Sequence, residues 1–279
     1  MRLVATLCLL AFALLPNRSA ADEGPADLYV FGEGFFALPD AAEDAASGQL
    51  IISDIAIRLT ADATGRRIPM PDVRGRVRAT FLVDGLEPKA IVLLPTAEQA
   101  RLRTAAEKLE IVLVGPAGSP VAKRLPTSRA VDRITALSLL EPDVIIIDFD
   151  ALADATPAEQ SALRDFAAEG TQVLILPQKT AAYLDTEFVE FRRDRVEWSD
   201  EPIVRRLRQN LFAEDLQPNE GFLAIRHKNG SAIASLDEDT AAVVYTADGV
   251  LLWQFPLDTT DARVDLLLTA FLEQASKTN

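Results

Sequence analysis

Cysteine is all but missing from this chain of 279 residues: Cys8 is the only one, inside an apolar run at the N-terminus. A chain processed after that run holds no thiol, which excludes disulfides, cysteine-ligated metal and a cysteine nucleophile together. Histidine is as scarce. His227 stands alone beside Lys228-Asn229-Gly230, so a histidine-built metal site has no second ligand. No Gly-x-Ser-x-Gly occurs, which removes the serine-hydrolase elbow. Gly115-Pro116-Ala117-Gly118-Ser119 has neither the Walker lysine nor the dinucleotide glycine spacing and reads as a turn. Positive charge is short as well, 28 Lys and Arg against 42 Asp and Glu, for a net charge of −14. Such a surface repels nucleic acid and anionic lipid and favours proteins, cations or neutral small molecules as partners. Internal repeats and low-complexity tracts are lacking too.

What is present starts with an export pattern. Met1-Arg2, the apolar residues 3–15, and Ser19-Ala20-Ala21 ahead of Asp22 form a secretory signal peptide over residues 1–21. The h-region is too short to span a bilayer. The mature chain is expected to begin near Asp22, in the periplasm or outside the cell, with no membrane span left after cleavage. It would carry 26 basic and 42 acidic residues. Apolar residues make up 49% and charged residues 25%, enough to bury a sizeable core.

Residues 141–178 organise the fold. The run 144–149, broken only by Asp148, has the pattern of a strand covered on both faces. Thr156, Pro157 and Glu159 supply an N-cap, a first-turn proline and a capping-box partner, and Gly170 marks the helix end. Residues 173–176 are the next strand, so the stretch predicts a right-handed βαβ unit. Before it, strands are expected at 28–31, 49–59, 76–84, 89–94 and 110–114, a loop over 62–75, and a helix from Thr96 to about Leu109. Residues 116–126 read as a linker. Residues 130–140 have room for a short strand. After Gln178, a helical turn over 180–184, a strand over 188–198 and a helix opened by Asp200-Glu201-Pro202 are expected. Hairpins are expected at Asn229-Gly230 and Asp248-Gly249, and a final helix over 261–274 presents Val264, Leu267, Leu268 and Phe271 on one face. The reading is α/β: a small β-rich domain over 22–109, then a three-layer flavodoxin-like domain over 110–279.

Two family resemblances follow. Gly48-Gln49-Leu50-Ile51-Ile52-Ser53-Asp54-Ile55-Ala56-Ile57, with residues 90–100 and 110–114, is similar to the periplasmic domain of Flp-type pilus assembly proteins of the RcpC/CpaB family. That resemblance implies a partner in a pilus or secretion assembly at the envelope. From about 110 to 275 the chain resembles the class I glutamine amidotransferase-like fold of ThuA-like and β-galactosidase middle domains. The order of the 110–114 strand, the 144–149 strand, the capped helix, the segment 200–207 and the closing segment 247–258 carries it. An active amidotransferase needs a Gly-x-Cys-x-Gly elbow after the second central strand. This sequence has Pro177 where the cysteine belongs and Gln178 after it, with Ile175 and Lys179 in place of the glycines.

Other candidates remain. Asp148 and Asp150 end a central strand, where open α/β sheets bind ligands, and two carboxylates there suit a cation, sugar hydroxyls or acid–base work. Alternatively one faces solvent and the other caps a loop. Asp237-Glu238-Asp239 lacks the ligand spacing of a calcium loop. Arg192, Arg193 and Arg195 suit an acidic partner or a salt-bridged strand, while Trp198 and Trp253 suit sugar stacking or a core. The expectation is an exported, non-catalytic binding or assembly module with no cofactor or metal, binding an envelope protein, a neutral small molecule or a sugar. The alternative is a carbohydrate-active or metal-assisted hydrolase using Asp148 and Asp150.

Overall fold

The computed structural model describes residues 26–37, 47–53, 55–62, 67–83, 86–192, 195–218, 220–228 and 230–278. The expected leader with Cys8, together with Asp54, Arg193 and Asn229, lies outside the described residues. The chain is mixed α/β, with several sheets and helices.

The first sheet is built from β1 (Leu28–Phe31), β3 (Ser47–Ile52), β4 (Ile55–Thr60), β6 (Val77–Val83) and β7 (Lys89–Leu94), ordered β1-β7-β6-β3-β4, with β1 parallel to β7. Two short strands, β2 (Phe35–Ala37) and β5 (Arg67–Pro69), pair separately. β5 falls inside the stretch read as a loop. The single strand expected over 49–59 is a hairpin. Ser53 takes φ +54°, a turn conformation, and β3 folds back on β4 from Ile52↔Ile55 to Ser47↔Thr60. Apolar residues stand on both sides of Ser53 and Asp54 with no glycine or proline between them, so the pattern reads straight through the turn.

Helix α1 (Thr96–Ala106) follows β7. Its cap comes from elsewhere than expected: Pro95 is the N-cap residue, and the Asp72 carboxylate accepts from the Thr96 N–H (3.4 Å) and hydroxyl (2.9 Å). Next come β8 (Ile111–Val114), α2 (Pro120–Arg124), β9 (Arg129–Val131), a 3-10 turn (Ile134–Leu139) and β10 (Val144–Ile147). The segment read as a linker thus contains a short helix, opened by Ser119, whose hydroxyl accepts the Ala122 N–H at 3.0 Å. Helix α3 (Pro157–Ala168) has the expected capping box in both halves, and Gly170 follows it at φ +104°.

β11 (Gln172–Ile175), β12 (Thr186–Phe191), β13 (Glu197–Trp198), α4 (Pro202–Arg208), β14 (Phe222–His227), β15 (Gly230–Ser235), β16 (Thr240–Thr246), β17 (Val250–Trp253) and α5 (Ala262–Thr278) complete the chain. No helical turn forms over 180–184, and the 188–198 strand divides into β12 and β13. β14 and β15 do not pair with each other as a hairpin; both pair with β16. The β16–β17 hairpin forms around Gly249 at φ +85°.

The second sheet has ten strands. Its parallel part runs β9-β8-β10-β11-β17, and β16 continues it antiparallel. α3 and the 3-10 turn cover one face through Leu163, Ile134 and Leu137. The other face meets Val121 of α2, Ile203, Val204 and Leu207 of α4, and α5. That core continues into Tyr29, Phe31, Val92 and Leu94 of the first sheet. α5 is therefore enclosed rather than one-sided: Leu266, Ala270 and Leu272 are buried as well as the expected Val264, Leu267, Leu268 and Phe271.

Polar contacts bind the seam. Asp215, 1% exposed, accepts from the Ala26 N–H, the Tyr29 hydroxyl and Arg78 Nη2 (3.1 Å). Arg206 joins Glu98 of α1 (2.9 Å) to Glu273 of α5 (2.8 Å). Among the described residues no helix is long and apolar enough to cross a membrane.

Candidate functional site

The parallel strands set the place. β8 connects through α2 to β9 on one side, and β10 connects through α3 to β11 on the other, so strand order reverses between β8 and β10. Ligands of open α/β sheets bind outside the carboxyl ends at such a point. A crevice of about 470 Å³ lies there, lined by Gly115 and Pro116 after β8, Arg133 after β9, Asp150 after β10, and Thr156 and Glu159 at the start of α3. Asp132 and Asp154 add to an acidic wall.

Asp148 and Asp150 occupy different environments. Asp148 is 3% exposed; its Oδ1 accepts the Phe149 N–H at 2.7 Å, and its Oδ2 has no hydrogen-bond partner among the described residues. Burial pushes its carboxyl above the usual range, opposed by the Ser119 hydroxyl, the Phe149 N–H and the Arg124 charge. Gly115 presses on it. A β-carbon at Gly115, where φ is +153°, would stand 2.6 Å from Asp148 Cβ.

Asp150 is committed to the neighbouring loop. At φ +54° its Oδ1 accepts from the Lys179 N–H (3.0 Å), the Thr180 N–H (3.1 Å) and the Thr180 hydroxyl (2.7 Å). Burial raises its carboxyl, but these donors outweigh burial and hold it below the ordinary value. The two carboxyl groups therefore differ as an acid and a base would, yet Asp148 is sealed while Asp150 lines the crevice with its Oδ1 taken up by three donors.

Pro177 and Gln178 follow β11. Gln178, 4% exposed, donates through Nε2 to the carbonyls of Asp148 (2.8 Å) and Leu176 (2.6 Å), while its Oε1 accepts the Leu152 N–H at 2.9 Å. Gln254, after β17, closes the arrangement. Its Oε1 accepts the Gln178 N–H at 2.6 Å and its Nε2 donates to the Gln178 carbonyl at 2.8 Å. The Pro177 carbonyl accepts the Asp150 N–H at 3.1 Å. The ends of β10, β11 and β17 are thus tied together. Spacing could not reveal this, because the two glutamines are 76 residues apart.

Other residues singled out by the sequence fall elsewhere. Trp198 and Trp253 pack on each other with centroids 5.7 Å apart, beside Phe255, and the Trp198 indole N–H donates to the Leu216 carbonyl. They form part of the core. His227 ends β14 and its N–H donates to the Asp239 carbonyl. Arg226, beside it, faces Asp239 at 3.4 Å. Arg192 pairs with Glu190 on the exposed strand, and Arg195 is exposed. Among the described residues no group of three or more His, Cys, Asp and Glu is placed to hold a metal ion. The chain matches no protein family, no curated protein and no solved structure.

Proposed function

We propose that this chain is an exported, non-catalytic binding or assembly module, with a flavodoxin-like, amidotransferase-like second half. The parallel order β9-β8-β10-β11-β17 supports the fold reading: renumbered along the chain, it is the 2-1-3-4-5 order of that class. The Gln178–Gln254 lock carries the functional reading. An elbow must expose its nucleophile on a strained turn, and here buried amides and a proline fill that turn. What the carboxyl ends of the strands still offer is the acidic crevice, which suits a neutral ligand rich in hydroxyls. The pilus resemblance of the first sheet supports an envelope protein as partner.

Affinity capture from the envelope fraction, followed by direct binding of the purified partner, tests this role. Reproducible recovery of a pilus or secretion component that binds the purified chain supports assembly. Recovery of nothing over repeated trials removes it.

The second reading is a carbohydrate-active or metal-assisted hydrolase. The free Oδ2 and raised carboxyl of Asp148 favour it. Calorimetric titration of calcium and sugars into the chain and into an Asp148→Asn/Asp150→Asn variant separates the two. Hydrolysis of a chromogenic glycoside by the unaltered chain, lost together with binding in a folded variant, supports the hydrolase, whereas binding without hydrolysis counts against it.

A further inference from the structure

The seam between the two sheets holds a second cleft, on the α1, α2 and α5 side. Two adjoining cavities, about 390 Å³ and 550 Å³, share Gln99, Arg124, Thr260 and Asp265. Both volumes fall within the range of small-molecule sites, roughly 300 to 1,000 Å³. The cleft lies where α2 follows β8 and where the connection from β17 leads into α5.

Its charges are unevenly spent. The acids lining it are each engaged: Asp27 Oδ2 accepts the Ala90 N–H at 2.7 Å, Asp258 Oδ1 accepts the Thr260 N–H and hydroxyl at 2.7 Å each, and Asp265 pairs with Arg124 at 2.7 Å. Burial pushes the Asp265 carboxyl up, and the charge and hydrogen bond of Arg124 oppose it. Arg124 is itself fixed, donating through Nη1 to the Pro120 carbonyl and through Nη2 to that of Asp261. Lys89, Arg103 and Lys123 have no side-chain hydrogen bond or ion pair among the described residues. The cavity of about 390 Å³ thus sets Arg103, Lys123 and Arg124 against the one carboxylate of Asp265, whereas Lys89 shares the other with Asp27, Asp258 and Asp265, in a chain whose net charge is −14. A walled cleft focuses such a field and concentrates ions of the opposite sign.

We propose that the cavity of about 390 Å³ binds a small multivalent anion bearing phosphate or carboxylate groups, with Arg103 and Lys123 as its main contacts. The inference stands apart from the non-catalytic reading, since it involves neither the glutamine lock nor the acidic crevice.

Isothermal titration of the full chain with pyrophosphate and, separately, with citrate tests it, against sodium chloride of matched ionic strength. A dissociation constant below about 1 mM is expected for at least one probe, weakened about tenfold or more in Arg103→Glu/Lys123→Glu. Arg195→Glu, outside the cleft, should bind as the unaltered chain does. Binding of pyrophosphate alone assigns the phosphate class; binding of citrate assigns carboxylates. Failure of both probes, or equal binding by the double variant with an unchanged thermal midpoint, overturns the proposal.

Discussion

At the scale of residues, the strand ends are governed by close approach and buried polarity. Gly115 lies against Asp148 at a φ that side chains avoid, so Gly115→Ala must move backbone or carboxyl. A loss of about 2 kcal/mol or more is expected from urea unfolding. Removing the Gln178 side chain leaves the Leu152 N–H without its acceptor and takes an amide donor from the Asp148 and Leu176 carbonyls, while Gln254, bound to the Gln178 backbone, keeps its bonds and is what holds that side chain in place. Gln178→Ala should cost about 2 to 4 kcal/mol, and a cycle with Gln254→Ala should show coupling of about 1 kcal/mol. Additive costs would mean the two amides act separately. Asp148 titrates in the reverse of the usual carboxylate sense. Its folded pKa is raised, so the folded state holds the proton more tightly than the unfolded chain, and its contribution to stability is lost as pH rises from the ordinary carboxylate value through the folded one. Relative to the unaltered protein, Asp148→Asn should therefore gain stability over that window, measured by urea midpoints from about pH 4 to 7. A difference independent of pH would contradict the assignment.

At the scale of elements, legibility followed local chemistry. α3 was readable because Thr156, Pro157, Glu159 and Gly170 specify its ends within one turn each. Thr156→Ala should cost about 1 kcal/mol, with the loss confined to exchange protection and stability around α3. β8, β10 and β11 were readable as apolar runs because both faces are covered. The failures have equally local causes. The β3–β4 turn lacks glycine and proline, so the apolar residues on either side of it read as one strand. α2 is five residues long, too short for a periodic pattern, and α1 is capped by Asp72 from a distant loop. Asn229-Gly230 signalled a hairpin, but β14 and β15 each join β16 instead. Of the candidate site, the position of Asp148 and Asp150 was legible and their opposite fates were not, because Gly115, Thr180 and Gln178 come from other strand ends.

At the scale of the molecule, one hydrophobic core runs from Tyr29, Phe31, Val92 and Leu94 through α5 to the second sheet. Such continuity predicts a single calorimetric unfolding transition, with equal van't Hoff and calorimetric enthalpies. Two separated transitions would mean that the halves fold independently. The net charge likewise describes the whole and not its parts: an acidic chain contains one crevice walled by carboxylates and one cavity in which cations outnumber acids. The proposed amidotransferase-like, non-catalytic reading requires the turn after β11, closed by Gln178 and Gln254, to be inert. Ammonia release from glutamine by the purified, processed protein measures this directly. No release above the uncatalysed background is expected, and glutamine turnover that follows the protein through purification would contradict the account.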